Sequence, residues 1–153
     1  MMTEIISSLI VRDLNKLRSE IELYHSENKI WHTEKNIANS AGNLCLHLIG
    51  NLKAYIGAVL GNTGYVRNRP LEFSQKDVPR HELIVMIEET ITTVNESLSK
   101  VSDEDLDAEY PLLVFEHKTS TGYFLVHLAT HLTYHLGQIN YHRRLLDISE
   151  EIV

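Results

Sequence analysis

Residues 127–142 read HLATHLTYHLGQINYH and place four of the chain's nine histidines within a little over four helical turns. On an α-helix, residues four apart differ by about 40° in azimuth and about 6 Å in height, so His127, His131 and His135 form one slanting stripe. His142 falls back close to it. Adjacent turns can share one metal ion, because imidazole–zinc bonds are about 2.1 Å long. Histidines eight apart, roughly 12 Å along the axis, cannot. The stripe therefore offers two registers, His127/His131 or His131/His135, and a further ligand must come from elsewhere.

The rest of the chain is read as the scaffold for that stripe. At 153 residues it fits one domain, residues 1–153, large enough to bury a core without staples. Its 43% hydrophobic and 23% charged residues suit a soluble globular protein. A formal charge of −7 and the lack of any long Lys/Arg run argue against a nucleic-acid or anionic-membrane partner. Arg67 and Arg69 make too short a basic cluster to reverse this. The N-terminus has no secretory pattern, and no stretch reaches about 18 apolar residues, so a cytoplasmic location is expected. The single cysteine, Cys45, lies in an apolar run and is expected to be a buried, reduced thiol.

Apolar spacing predicts a first helix from Thr3 to about Glu27. Residues 28–40 read as a connection in which Trp31 plugs the bundle end. Asn39 or Ser40 caps a second helix over about 41–60, stopped by Gly61 and Gly64. Within that greasy helix Asn43, His47 and Asn51 make a second polar stripe. A loop follows, then a third helix signalled by Asp77 and Pro79 and running through Leu98. Residues 102–111 are acidic and turn-like, and 112–116 suit a short extended segment. Ser120 or Thr121 caps the last helix, about 121–146, and the tail from Asp147 is expected to fray. These elements predict an all-α, four-helix up-down bundle, with long second and third connections that leave room for a crossover.

If the stripes on the second and last helices face each other, three imidazoles converge. Burying them unpaired costs about 1–3 kcal/mol per group, so convergence calls for a metal or a hydrogen-bond network with Asn43, Asn51, Tyr134 and Gln138. His25, His32, His81 and His117 read as surface groups. His142, followed by Arg143 and Arg144, suits the negative end of the helix dipole.

LCLHLIGN (44–51), followed by His131-Leu-Thr-Tyr-His135-Leu-Gly-Gln138, resembles the DinB-like family, also described as YfiT-like metal-dependent hydrolases. RNRPLEF (67–73) resembles a loop of one branch of it. The resemblance spans about residues 40–145. It implies a four-helix bundle binding zinc or nickel through His47, His131 and His135, which makes His127 a neighbour. Members often have Arg where this chain has Leu136, which puts in doubt a substrate contact but not the metal.

A three-histidine set leaves positions open for water or substrate. Such a metal lowers the pKa of bound water, giving a hydrolase, or of a thiol, giving an S-transferase. Relatives that use low-molecular-weight thiols make a thiol co-substrate an expectation. Glu72 and Glu116 are candidate general bases, and Gln138 a candidate orienting group. The alternative is a non-catalytic metal-binding or stress-associated protein. Surplus apolar positions at Ile5, Ile6 and Ile10 suggest a homodimer.

Overall fold

Helix α1 (Met2–Leu23) begins under a cap supplied from far along the chain. The Asp103 carboxylate accepts hydrogen bonds from the first three backbone nitrogens and from the Thr3 hydroxyl. Those are the unpaired donors of a helix start, and the contact holds the Asp103 pKa below the usual carboxylate range. In this computed structural model, which describes residues 1–148, all named elements are helices. Beyond α1 they are α2 (Ala41–Gly61), a short α3 (Arg69–Ser74), α4 (Arg80–Leu98) and α5 (Thr121–Leu146). Single 3-10 turns cover Glu27–Trp31 and Glu104–Asp107.

Some expected boundaries hold and others move. Ser40 caps α2 by accepting from Asn43 N, and Ser120 caps α5 by accepting from Tyr123 N. The residue that turns the chain out of α2 is Asn62 at φ 52°, whereas Gly61 is the last helical residue and packs against Ser97. Asp77 does not cap α4: its φ is 58°, and the first turn is met instead by Glu27, whose carboxylate accepts from Arg80 N at 2.6 Å. α1 ends at Leu23, four residues short of Glu27, where Tyr24 turns to an extended conformation. Segment 112–116 forms no strand, and an isolated bridge joins Glu109 and Ser120. Asp147 does not fray: its carboxylate accepts from the backbone nitrogens of His25 and Ser26. Residues 149–153 of the expected tail lie outside the described residues.

The four long helices share one core, in which Ile10, Leu14, Leu17, Leu48, Leu52, Leu83 and Leu132 are fully enclosed. α1 and α2 occupy opposite corners, each packed against both α4 and α5. Cross-helix contacts fix the directions. Asp13 pairs with Thr133 and Glu20 with Asn140 and Arg143, so α1 and α5 run parallel. Lys53 pairs with Glu89, and Gly61 meets Ser97, so α2 and α4 are parallel too. His47 faces His131 and Tyr55 faces Phe124, so α2 and α5 are antiparallel. The order is thus up, down, down, up, so the long second connection is a crossover. The segment between α2 and α4 must return along the bundle, and it lays α3 across the N-terminal half of α2.

α2 is the most apolar helix and carries an 18-residue window of mean hydropathy 1.4, long and apolar enough by composition to cross a membrane. Its window is 67% buried among the other helices, the position of a central core helix. Midway, Lys53–Ala58 widens into a π-helical stretch. There the Tyr110 hydroxyl donates to Tyr55 O at 2.6 Å, taking up a backbone carbonyl at the widening.

Candidate functional site

Antiparallel packing of α2 on α5 brings the two polar stripes together. His47, His131 and His135 converge, with one ligand-type atom of each lying within 4.8 Å of the others. His47 Nε2 is 3.2 Å from His131 Nε2. Two nitrogens bound to one ion at about 2.0–2.1 Å stand roughly 3.0–3.5 Å apart, so this pair already has the spacing of two ligands. The His47 ring meets the His135 ring edge-on at 5.4 Å, and His131 meets His135 at 4.6 Å.

The far sides of two rings are held. His47 Nδ1 lies 3.1 Å from Glu72 Oε1, a carboxylate oxygen that can only accept, an arrangement suited to a protonated Nδ1 and a bare Nε2. His135 Nδ1 lies 2.7 Å from Gln138 Oε1, one turn along α5, with the same consequence if the amide oxygen accepts. These are the outer contacts that orient metal-binding histidines. His131 differs, because its Nδ1 is buried with no partner. Burial, with the neighbouring imidazoles adding to it, depresses the His131 pKa to about 4. Burial lowers that of His47 as well, against the opposing pull of Glu72. Burial thus disfavours the charged forms of His47 and His131, whose Nε2 atoms face each other. Geometry and donor chemistry fit a divalent metal ion.

The remaining predicted residues divide clearly. Glu72 is buried, but its oxygens are engaged by His47 Nδ1 and by both Nε and Nη2 of Arg67 at 2.9 Å. It stands behind His47, on the side away from the converging Nε2 atoms, which is no place for a general base. Glu116 is exposed and makes no hydrogen bond among the described residues. His127 stacks on His131 at 6.1 Å between ring centres and meets Phe115 at 4.7 Å, a neighbour of the cluster as expected. Tyr134 is exposed, and Asn43 bonds not to a histidine but to the carbonyls of Glu72 and Gln75, fastening α3 to α2. Asn51 is buried with its Oδ1 unpaired. Cys45 is enclosed, and burial pushes its thiol up to about 12, which removes it as a nucleophile. His142 is not a surface cation near a helix end but a buried ring bonded to Tyr24 and the His32 carbonyl.

Sequence reading missed Arg67 as part of the site, having counted it only toward surface charge. The signal was there in its place five residues before Glu72 in RNRPLEF. Phe73 was missed too, and its ring packs on His47 at 4.9 Å. Beside His135 runs a groove of about 460 Å³ whose walls include Ile37, Leu44, Gln138, Tyr141 and Leu145.

Compared with known families, residues 8–151 match the family described as Protein of unknown function (DUF1572). No curated protein matches the chain.

Proposed function

This chain belongs to the DUF1572 family, a DinB-like family, and on that basis we propose that it is a divalent-metal-dependent enzyme acting on a small molecule, with His47, His131 and His135 as the metal ligands. The observation that carries the reading is the convergence of three imidazoles within 4.8 Å, two of them oriented from behind by a carboxylate and an amide. Imidazole donors suit zinc and nickel alike. The scaffold is read as a DinB-like four-helix bundle whose crossover segment supplies Glu72.

A bound cation would act as a Lewis acid that lowers the pKa of a coordinated water or thiol. The protein's own part is to hold three rings in place and to leave one side open. His135 and Gln138 border the 460 Å³ groove, so a small molecule lying along its apolar wall reaches the cluster from that side. Among the described residues, no carboxylate other than Glu72 bonds to the three histidines, and Glu72 is committed to Arg67. That favours a nucleophile needing no general base. A low-molecular-weight thiol, whose ordinary pKa of about 8.5 is far below that of water, meets this condition, so S-transfer is favoured over hydrolysis. A cytoplasmic setting and a homodimer belong to the same proposal. For the dimer, the support is an almost wholly apolar groove between α1 and α5 at Leu9, Val126 and Ala129, with Ile5 exposed nearby while Ile6 and Ile10 are buried.

The test loads the protein with zinc or nickel and screens a panel of small thiols against model electrophiles, alongside ester and amide substrates. The expected result is metal-dependent thiol consumption that His131→Ala abolishes. Turnover of esters or amides instead would transfer the reading to a hydrolase. Stoichiometric metal with no turnover in either screen would leave a metal-binding or stress-associated protein without catalysis.

A further inference from the structure

The crossover segment RNRPLEF does more than return the chain. Asn68 caps the short α3 by accepting from Leu71 N, and Pro70 presets its first turn, so the backbone between Arg67 and Glu72 is fixed locally. Asn43 of α2 then holds the carbonyls of Glu72 and Gln75 at 2.9 and 2.8 Å. This lays the Glu72 side chain across α2 at Gly50, where any Cβ would collide with the carboxylate. The Arg67 guanidinium meets that carboxylate with two parallel hydrogen bonds of 2.9 Å, and it sits 5.6 Å from the Tyr55 ring. Both side chains are largely enclosed, at 14% and 7% exposed, so the carboxylate has no bulk water to balance it and depends on arginine.

The direction of the remaining bond decides the role. Glu72 Oε1 lies 3.1 Å from His47 Nδ1. A bare Nδ1 would set its lone pair against the carboxylate, whereas a protonated one donates to it. Arg67 Nη2, 3.3 Å from the same nitrogen, is a donor only and would favour a bare Nδ1, but its shorter bond, 2.9 Å, goes to the charged Glu72 Oε1. We propose that Arg67 and Glu72 form a positioning couple that locks His47 in its Nδ1–H tautomer, with Nε2 free toward His131 and His135, and that Gly50 is the notch that admits this couple. Its effect on metal affinity rests on the function proposed above, but the tautomer lock does not.

The test uses full-length protein labelled with nitrogen-15 at histidine, metal-free and at neutral pH, comparing wild type with Glu72→Ala, Glu72→Gln, Gly50→Ala and Arg67→Ala. Long-range nitrogen–proton spectra report the His47 tautomer, and zinc competition with a chromophoric chelator reports affinity. Wild type is expected as Nδ1–H, and Glu72→Ala and Gly50→Ala shift toward Nε2–H with helical circular dichroism unchanged. Glu72→Gln, whose amide oxygen can still accept, keeps the wild-type tautomer. Zinc affinity falls about 10–100-fold in Glu72→Ala and Gly50→Ala, and less in Arg67→Ala. His47 remaining Nδ1–H in Glu72→Ala would overturn the proposal; should Gly50→Ala fail to fold, Glu72→Ala decides alone. If wild type binds no zinc while the tautomer still shifts, the couple stands and the metal reading falls.

Discussion

His131 and His142 lie on one helix, three turns apart, and the contrast between them separates a ring with bonding capacity to spare from a fully bonded one. His142 has both ring nitrogens occupied: Nδ1 accepts from the Tyr24 hydroxyl at 2.6 Å, and Nε2–H donates to the His32 carbonyl at 2.8 Å. It ties the end of α1 and the following 3-10 turn to α5. His131 has an Nδ1 with no partner and an Nε2 facing another imidazole nitrogen at 3.2 Å. Burial is the largest cause of a lowered pKa in both rings, so neither burial nor pKa tells them apart. Unused hydrogen-bonding capacity does. A polar group left unpaired inside a protein costs about 1–3 kcal/mol, and the layer containing His131 tolerates that where the layer containing His142 does not.

Substitutions can break the contrast. The largest expected effect is on stability at the satisfied end. His142→Ala should lose about 3 kcal/mol in chemical denaturation, from a cavity and from the orphaned Tyr24 hydroxyl and His32 carbonyl. Its metal affinity should stay within about twofold, since the ring lies outside the 10–100-fold reach of ligand and outer-shell changes. A smaller effect of opposite sign is expected at the frustrated end: His131→Leu should raise the stability of the metal-free protein by about 1 kcal/mol while ending metal binding. A destabilised His131→Leu protein would place both histidines in the same class. Gln138→Ala should weaken metal binding by about fivefold, less than the usual outer-shell effect because its bond to His135 is exposed.

The smallest effect is the pH response. Both rings are neutral when buried, so the unfolded chain takes up protons first as pH falls below the ordinary histidine value of 6.5. Stability is therefore full above that value and declines toward about pH 4, where His131 protonates in the folded chain. Melting temperatures recorded across this window should fall less steeply for His131→Leu than for wild type.

Much of this contrast could be read from residue order. The three-and-four spacing located the long helices, and the stripe at 127–142 with Asn43, His47 and Asn51 placed the two polar surfaces, because such periodicity depends only on helix geometry. What stayed hidden depends on tertiary arrangement. Spacing alone left His127/His131 and His131/His135 open; the family resemblance pointed to His131 and His135, and the antiparallel meeting of α2 and α5 brings both to His47. Parallel α2 and α4 could not be read from local propensity: the long second connection left room for a crossover but did not show the path that sets Arg67 and Glu72 behind His47. His142 was misjudged because Arg143 and Arg144 beside it suggest an exposed helix end, and its partners Tyr24 and His32 are more than a hundred residues away.

The metal centre proposed for the histidine layer is tested most directly by a zinc titration of wild type beside His47→Ala and His142→Ala. One ion per chain is expected in wild type and in His142→Ala, and affinity at least about 100-fold weaker in His47→Ala, since a direct ligand is worth no less than an outer-shell contact. Full stoichiometry with unchanged affinity in His47→Ala would contradict it.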